Sequence, residues 1–449
     1  MRANQEYHPR GLTAPETAEL LGVEVATVYA YASRGALTRR VSADGRRSNY
    51  DPDEVALLAR KGRPRSVRRR PGAVDVVIGT TISEIGDGWI RYRDRDLMDL
   101  AGHHRFEDVA QLLWTGDLPS VVDLPMSGAN LHAARRDVER LAARAAATVP
   151  RDAPATSRLA AGAAVISARL PETKDLGCSV EAASLLVDAM VACLPLVGSP
   201  PGLGTGVAER LWSRGSTLTP TLARVDALDR ALVLLAEHEL ATSTLAVRVA
   251  ASTHAGPAQV LLAGLAALSG PLHGGASARV HRRLLGDPSV AMIPLSSDDS
   301  TIQAEGFGHM VHRSGDPRFA PLLSAVHAIA SRTARRRIEA DLALHAAAGA
   351  PPPNVDAALG ALGYVMRARP GTTDAIFAVS RTAGWLAHAI EEADELPLRY
   401  RGRTLYRGPR GTDLSSSAPT LPHRLARPPG SEVRRPTPGP GTRPGRSGR

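Results

Sequence analysis

The chain has 449 residues, of which 43% are hydrophobic and 22% charged, so it can form more than one domain around a large core. Aromatic residues make up only 4% of it, and its alanine-rich segments favour helices. No apolar segment is as long as a membrane span, and the N-terminus lacks the apolar core of a signal peptide. These features argue against a membrane or secreted protein and predict a cytoplasmic one.

The net charge of +10 lies at the two ends of the chain. Residues 1–70 carry 14 Lys and Arg against 8 Asp and Glu, residues 411–449 carry 7 against 2, and the rest is near neutral. Basic ends are typical of contact with nucleic acid or another polyanion, although a solvated linker and tail is the alternative. Cys178 and Cys193 lie in apolar contexts without metal-ligand spacing, which predicts buried thiols.

The N-terminal segment predicts two short helices, a hairpin and a third helix. Capping boxes at Thr13–Glu16 and Asp51–Glu54 mark the first and third helix, and Asp44-Gly45 is a strong hairpin turn signal. The predicted ranges are Pro15–Leu21 and Val25–Ser33 for the first two helices, Leu37–Val41 and Arg46–Tyr50 for the hairpin strands, and Pro52–Lys61 for the third helix.

This order of elements is similar to the winged helix-turn-helix of the MerR and excisionase families, over roughly Gly11–Lys61. The resemblance implies a DNA-binding domain at residues 11–62. It places Thr27, Tyr29, Tyr31 and Arg34 in the major groove, and it places Arg39, Arg40, Arg46 and Arg47 on phosphates. A protein-binding module without DNA affinity is the alternative. Residues 63–73 have the composition of a linker.

Beyond the linker the pattern predicts many packed helices and little strand. The β-branched residues Val76–Ile78 favour a short strand, while helices are predicted over Arg158–Arg169, Val180–Cys193 and within Ala227–Ser252. Gly116 is a helix-ending signal. Residues 411–449 are rich in Pro, Gly, Ser and Arg, which predicts a disordered tail.

The stretch Gly270–Ala276 holds His273 between glycines, just before a predicted helix at Ser277–Leu285. Glycine permits close approach of a ligand to the backbone, and a helix N-terminus disfavours a charged imidazole. A neutral His273 that donates a hydrogen bond to a developing oxyanion is therefore one interpretation. A turn with a satisfied histidine is the other.

Three further motifs follow. Gly306–Arg313 contains His309 and precedes Asp316-Pro-Arg318, Pro353–Asp356 precedes a helix, and Phe377–Arg381 opens one. Taken singly, each has a structural explanation as a glycine turn, a capping aspartate or an arginine at the edge of an apolar face.

Taken together, these motifs resemble the citrate synthase family over residues 74–410. Further segments carry the same resemblance, namely Thr81–Ser83, Tyr92-Arg93, Phe106–Trp114 and Ser380–Trp385. It implies a mainly α, two-domain homodimer with a large domain at residues 74–275 and 367–410 and a small domain at residues 276–366.

The resemblance also implies a reaction, the condensation of acetyl-CoA or propionyl-CoA with oxaloacetate and water to give citrate or 2-methylcitrate and CoA. Asp356 matches the general base, His273 the donor to the thioester oxygen, and His309 the group that polarises the oxaloacetate carbonyl. No metal or other cofactor is implied. The implied substrate-binding residues are His238, Arg318, Arg381 and Arg401, the last from the partner subunit, and Arg313 matches a CoA contact.

Four positions depart from the family pattern: Leu235 for histidine, Met310 for arginine, and Asp94 and Gly402 for glycine and proline. They leave the proposed catalytic groups in place. The helix-turn-helix resemblance admits a second function, that of a transcription regulator whose synthase-like body senses oxaloacetate or acyl-CoA. An intact set of His273, His309 and Asp356 favours the enzyme.

Overall fold

The structure is a computed structural model, which describes residues 12–21, 23–33, 35–41, 48–51, 54, 55, 58, 76–119, 129–150, 152–168, 179–201, 206–290 and 305–402. The chain divides into two compact units, residues 1–81 and residues 82–449. The predicted linker at residues 63–73, the predicted tail at residues 411–449 and Cys178 lie outside the described residues.

The N-terminal unit packs two helices with a small antiparallel sheet. Its elements are β1 (Leu12–Thr13), α1 (Ala14–Leu21), α2 (Val25–Ser33), β2 (Arg39–Val41) and β3 (Ser48–Tyr50), with strand order β1-β3-β2. Arg39 pairs with Tyr50 and Val41 with Ser48, so β2 and β3 have the antiparallel pairing predicted for the hairpin. Strand β1 was not predicted. A separate core lies between these elements, formed by Ala14, Ala18, Val28, Leu37, Tyr50 and Val55.

Local hydrogen bonds explain where the first helix begins. The Thr13 N–H donates to Glu16 Oε2 at 2.7 Å, and the Glu16 N–H donates to Thr13 Oγ1 at 3.4 Å, which confirms the predicted capping box. The Glu54 carboxylate accepts from the backbone N–H and the hydroxyl of Thr38 at 2.6 and 2.8 Å. Glu54 therefore ties the predicted third helix to the segment before β2.

The C-terminal unit begins with a three-stranded antiparallel sheet of β4 (Ser83–Gly86), β5 (Trp89–Tyr92) and β6 (Arg95–Asp96). The predicted strand at Val76–Ile78 is wrong, since these residues have no regular secondary structure and Val77 is 92% exposed. A β-branched run forms a strand only where a neighbour completes its ladder. Such a ladder forms only further along the chain, where Ser83 pairs with Tyr92 and Gly86 with Trp89.

Helices form the rest of the C-terminal unit. They are α3 (Leu97–His103), α4 (Phe106–Thr115), α5 (Ala129–Ala147), α6 (Ala155–Ser167), α7 (Val180–Ala192), α8 (Val207–Gly215), α9 (Leu222–Leu235), α10 (Thr242–Ala251), α11 (Pro257–Leu268), α12 (Ala276–Leu285), α13 (Phe319–Ile329), α14 (Arg332–Ala347), α15 (Val355–Val365) and α16 (Thr372–Ala393). The mainly helical class is thus confirmed. No described helix is long and apolar enough to cross a membrane.

Helix α16 lies in the core of this unit, with Ile376, Val379 and Trp385 fully buried. Helix α4 ends at Gly116, which adopts φ 88° and donates its N–H to the Leu112 carbonyl oxygen at 2.8 Å, as its position predicted. Cys193 is buried as predicted, and burial raises the pKa of its thiol to about 12.

The predicted helical segment Ala227–Ser252 is broken into α9 and α10. Between them the Tyr92 hydroxyl donates to the Glu237 carbonyl oxygen at 2.7 Å and accepts from the Glu237 N–H at 3.1 Å. Because both backbone groups of Glu237 bond to Tyr92, they do not form helical hydrogen bonds. Glu239 then adopts φ 53°, so His238 lies in a short irregular segment.

Candidate functional site

His309 and Asp356 lie on two segments that are joined by a short β-bridge. Phe307 pairs with Pro353, the Gly308 N–H donates to the Pro352 carbonyl oxygen at 2.8 Å, and the Asn354 N–H donates to the Gly306 carbonyl oxygen at 2.9 Å. Gly306 adopts φ 87°, which favours glycine. The bridge brings the His309 loop against the start of α15, where Asp356 lies.

Asn354 strengthens the same junction with its side chain. As the N-cap of α15, its Oδ1 accepts from the Asp356 N–H at 3.0 Å, while its Nδ2 donates to the Gly308 carbonyl oxygen at 2.7 Å. Asn354 thus performs the capping role that was an alternative for Asp356. Asp356 as a whole is partly exposed.

Arg318 is fixed by a buried ion pair with Asp316. Its Nε and Nη2 each donate to one carboxylate oxygen at 2.9 Å, and only 3% of Arg318 is exposed. The second of these oxygens, Oδ2, also accepts from the Val355 N–H at 3.0 Å. Asp316 therefore connects Arg318 to the first turn of α15, and the paired guanidinium lowers the pKa of Asp316 despite its burial.

Arg381 lies on α16 and is 2% exposed. Its Nε donates to the Leu235 carbonyl oxygen at 2.9 Å, and its guanidinium lies 4.8 Å from the centroid of the Phe377 ring. This contact uses Nε and does not involve the two terminal nitrogens of the guanidinium, which can also bind a carboxylate. The backbone of Leu235, whose side chain departs from the family pattern, thus helps to hold Arg381.

His273 lies in a tight turn before α12 and bonds Ser243, the second residue of α10. The Ser243 hydroxyl lies 2.8 Å from His273 Nε2, and the Ser243 N–H donates to the same nitrogen at 3.3 Å. Because a backbone N–H only donates, Nε2 is an acceptor. A neutral His273 then carries its proton on Nδ1.

Glycines allow the turn at His273 to pack closely. A Cβ on Gly274 would lie 2.2 Å from the Leu268 carbonyl oxygen, and Gly275 caps α12 at φ 86°. Burial lowers the pKa of His273, with a further contribution from the Arg381 charge. The expected direction is therefore found, but burial is its main cause.

Three imidazoles form a cluster. His238, His309 and His312 each offer one nitrogen within 4.8 Å of the others, a spacing that metal sites also use. However, His309 Nδ1 accepts from the N–H groups of Val311 and His312 at 3.1 Å each, which places the proton of a neutral ring on Nε2. That nitrogen is then a hydrogen-bond donor and lacks the lone pair that a metal requires.

The pKa shifts keep these histidines uncharged and bring the pKa of one carboxyl close to neutral pH. Burial, aided by the Arg318 charge, lowers the pKa of His309 to about 4. His238 is shifted in the same direction, first by burial and then by Arg318 and Arg381. Burial raises the pKa of Asp356 to about 6, against the opposing effect of Arg318. Such a site combines neutral hydrogen-bond donors with a base that is charged at pH 7.

Several other predicted site residues are exposed. Arg313 and Arg401 are exposed, as is Met310 at 72%. In the N-terminal unit, Tyr29, Arg39 and Arg40 are exposed, whereas Thr27 and Tyr31 are partly buried. The predicted DNA contacts Arg34, Arg46 and Arg47 lie outside the described residues.

Four residues of the site were not predicted. Asp316 was visible in its motif, two positions before Arg318, and His312 was visible three positions after His309. Ser243 and Trp385 had no such signal for their role, because their contacts with each other and with His273 join residues at least 30 positions apart.

Comparisons with known proteins show what the chain is similar to. Residues 73–403 match the family model described as "Citrate synthase, C-terminal domain". The chain is 30% identical to a citrate synthase of Saccharolobus solfataricus over 363 residues, covering 75% of this chain and 96% of that protein. It is also 30% identical to a 2-methylcitrate synthase of Mycobacterium tuberculosis over 346 residues, covering 72% and 87%.

A solved structure has a similar fold. It is the citrate synthase of Thermoplasma acidophilum in a ternary complex with carboxymethyl coenzyme A and oxaloacetate, with a TM-score of 0.59 and 25% sequence identity, covering 75% of this chain and 95% of that one. The matched region in all these comparisons spans most of each relative's length.

Proposed function

The chain belongs to the citrate synthase family and is an enzyme of the acyl-CoA-condensing type, and we propose that it joins acetyl-CoA or propionyl-CoA to oxaloacetate. The products are citrate or 2-methylcitrate and free CoA. The observation that carries the proposal is Asp356, a partly exposed residue whose carboxyl pKa is raised to about 6 by burial and whose helix is hydrogen-bonded to the His309 loop.

Asp356 is the base that takes a proton from the carbon next to the thioester. Burial makes its carboxylate more basic, while its pKa still leaves it charged at pH 7. The negative charge that forms on the thioester oxygen needs a donor, and His273 supplies the Nδ1–H that remains when Nε2 accepts from Ser243. A neutral imidazole suits this role because the proton is shared with the enolate oxygen and stays on the ring.

His309 acts on the second substrate. Its Nε2–H donates to the oxaloacetate carbonyl oxygen, polarising the carbon that the enolate attacks, and protonates the alkoxide as the new C–C bond forms. Arg318 and Arg381 hold the two carboxylates of oxaloacetate, assisted by His238. Arg401 is exposed, and we infer that it enters the site of a partner subunit in a homodimer.

Water then attacks the thioester carbon of the condensed product and the CoA thiolate leaves. Of the two protons that the water gives up, one restores the Nε2–H of His309 and the other protonates the CoA thiolate, and Asp356 releases its proton to solvent. This hydrolysis makes the overall synthesis favourable. Arg313, exposed on the His309 loop, contacts the phosphates of CoA in this proposal. Met310 follows His309 in the same loop and its side chain is exposed to solvent. An arginine at position 310 is therefore not needed to support His309.

The direct test is release of free CoA thiol from acetyl-CoA and from propionyl-CoA in the presence of oxaloacetate. The wild-type chain should release thiol with at least one of them, and the ratio of the two kcat/KM values gives the acyl preference. Asp356→Ala should lower kcat by about 100-fold or more, the usual contribution of a general base.

Asp108→Ala is the matched control, because Asp108 is a carboxylate in the first turn of α4 that accepts from the Arg105 N–H at 3.1 Å. It should reduce stability slightly and leave kcat intact. Thiol release by Asp356→Ala at the wild-type rate would contradict the assignment of the base. No release by the folded wild-type protein with either thioester would contradict the enzyme.

We also propose that the N-terminal unit binds duplex DNA. The supporting observation is a pair of short helices beside an antiparallel hairpin, with Tyr29 48% exposed on α2 and with Arg39 and Arg40 exposed on β2. Arg40 lies 3.7 Å from Asp51 in a solvent-exposed ion pair, which is weak enough to be exchanged for a phosphate.

DNA binding is tested by selecting preferred duplexes from a random pool with the full-length protein. Arg40→Ala should weaken binding to the selected duplex and reduce its salt dependence. Arg91→Ala also removes an exposed charge, on β5 of the other unit, and should leave binding unchanged. Equal losses in both variants, or no enrichment at low salt, would contradict a DNA-binding role. Modulation of such binding by oxaloacetate would favour a regulatory function in addition to the enzyme.

A further inference from the structure

We propose that Trp385 is a positioning residue for His273, which it holds, through Ser243, in the tautomer that carries its proton on Nδ1. Trp385 lies on α16 and is fully buried. Its indole Nε1–H donates to the Ser243 hydroxyl at 3.3 Å, and that hydroxyl lies 2.8 Å from His273 Nε2. The inference rests on the proposed function, because it assigns a cause to the donor role of His273.

The direction of each hydrogen bond follows from the chemistry of the groups. An indole nitrogen has no lone pair to offer, so it can only donate. The Ser243 oxygen therefore accepts from Trp385, which leaves the hydroxyl proton for His273 Nε2. With the Ser243 N–H on the same nitrogen at 3.3 Å, Nε2 receives two donors, and the proton of the neutral ring has to be on Nδ1.

Packing fixes the indole where it reaches Ser243. A Cβ on Gly264 of α11 would lie 2.8 Å from the Trp385 Cδ2 atom and 2.9 Å from both its Cε3 atom and Val247 Cγ2. The ring therefore occupies space that only glycine leaves open. Trp385, Gly264 and Val247 belong to three different helices, so the position of the indole is set by tertiary packing.

Without the indole donor, the Ser243 hydroxyl has another use. The hydroxyl can then rotate and accept a hydrogen bond from an Nε2–H of His273, which leaves only the longer backbone contact to favour Nε2 as an acceptor. The tautomer with its proton on Nε2 then gains population. In that tautomer the Nδ1 lone pair faces the thioester oxygen and repels the negative charge that develops there.

The test is Trp385→Phe, which keeps an aromatic ring and removes the donor. We expect kcat to fall about 10-fold, equivalent to the loss of a single hydrogen bond in the transition state, with both KM values unchanged. In ¹⁵N-histidine-labelled protein, the His273 signals should shift toward the Nε2–H tautomer. Those signals are assigned by their loss in His273→Gln.

Trp114→Phe is the matched control. The buried Trp114 indole also donates to a residue of α16, the helix of Trp385, but its acceptor is the Ala383 carbonyl oxygen at 3.0 Å. This variant should leave kcat and the tautomer unchanged. Ser243→Ala should lower kcat at least as much as Trp385→Phe, and the double variant Ser243→Ala/Trp385→Phe should match Ser243→Ala alone, because both changes remove one linked chain of bonds.

Three results would overturn the proposal: an unchanged tautomer in Trp385→Phe, equal losses of kcat in the two tryptophan variants, or additive losses in the double variant. The tautomer measurement needs no substrate. If the wild-type protein released no thiol, the proposed function would fail, and the ¹⁵N spectra of the wild-type and Trp385→Phe proteins would still decide the inference about Trp385.

Discussion

Asp356 differs from the other groups of the site because its pKa is shifted toward neutrality. Burial raises the pKa of Asp356 to about 6, with contributions from the negative charges of Asp316 and Asp374, whereas Arg318 opposes the shift. Burial lowers the pKa of His309 to about 4. The base and the donor therefore change charge in well-separated pH ranges, a separation that suits acid–base catalysis.

This separation predicts a single acid limb in the rate profile. Below pH 6 Asp356 becomes protonated and cannot accept the substrate proton, while His309 stays neutral until about pH 4. We expect kcat/KM for the acyl-CoA to be level above about pH 7 and to fall about tenfold per pH unit below the pKa of Asp356. Measurement of kcat/KM between pH 5 and pH 8 checks this, and a level profile down to pH 5 would contradict it.

Asp374 provides a sharper form of the same prediction. Its carboxylate raises the pKa of Asp356, so Asp374→Asn should move the acid limb to lower pH. Asp287→Asn removes an exposed carboxylate near the end of α12 and serves as the control that leaves the limb in place. A limb that stays fixed in Asp374→Asn would mean that another group limits the rate in acid.

At the scale of elements, local signals predicted much of the helical architecture. The Thr13–Glu16 capping box and the helix end at Gly116 were both predicted correctly from their own residues. The predicted helix Val180–Cys193 agrees with α7 to within one residue. These features depend on contacts within a few residues of each other, which a sequence pattern records directly.

The breaks between elements were not predictable in the same way. The interruption between α9 and α10 depends on the Tyr92 hydroxyl, which lies 145 residues earlier in the chain than Glu237. The strand expected at Val76–Ile78 does not form, because β4 and β5 pair with each other further along the chain. The motifs therefore made His238 and His309 candidate site residues, while the hydrogen bonds that set their geometry come from tertiary packing.

At the scale of the whole molecule, the segment after α16 is anchored close to Arg401. Arg399 donates from Nε and Nη2 to the two carboxylate oxygens of Glu392 at 2.7 and 2.6 Å, and the Tyr400 hydroxyl donates to Glu392 at 2.9 Å. Glu392 is also paired with the fully buried Arg248 at 2.7 Å. A buried carboxylate with several charged donors is a strong anchor, and it fixes the chain two residues before the exposed Arg401.

This anchored position makes the proposed exchange of Arg401 between subunits testable. In a heterodimer of Arg401→Ala and Asp356→Ala chains, one site combines the intact Asp356 of the first chain with the intact Arg401 of the second. If Arg401 acts across the interface, purified heterodimers carrying two different tags should have about half of the wild-type activity, because one of two sites is complete. If Arg401 acts within its own subunit, both sites lack a group and activity should be near that of the single variants.

The control heterodimer combines Asp356→Ala with His309→Ala. The bridge between the His309 loop and the start of α15 puts both groups in the same subunit, so neither site of that heterodimer is complete and it should stay inactive. Activity in the control would mean that His309 and Asp356 of one site come from different chains, which would contradict the assignment of both groups to one subunit. Half activity in the first heterodimer together with an inactive control leaves only the arrangement in which each site is built from two chains.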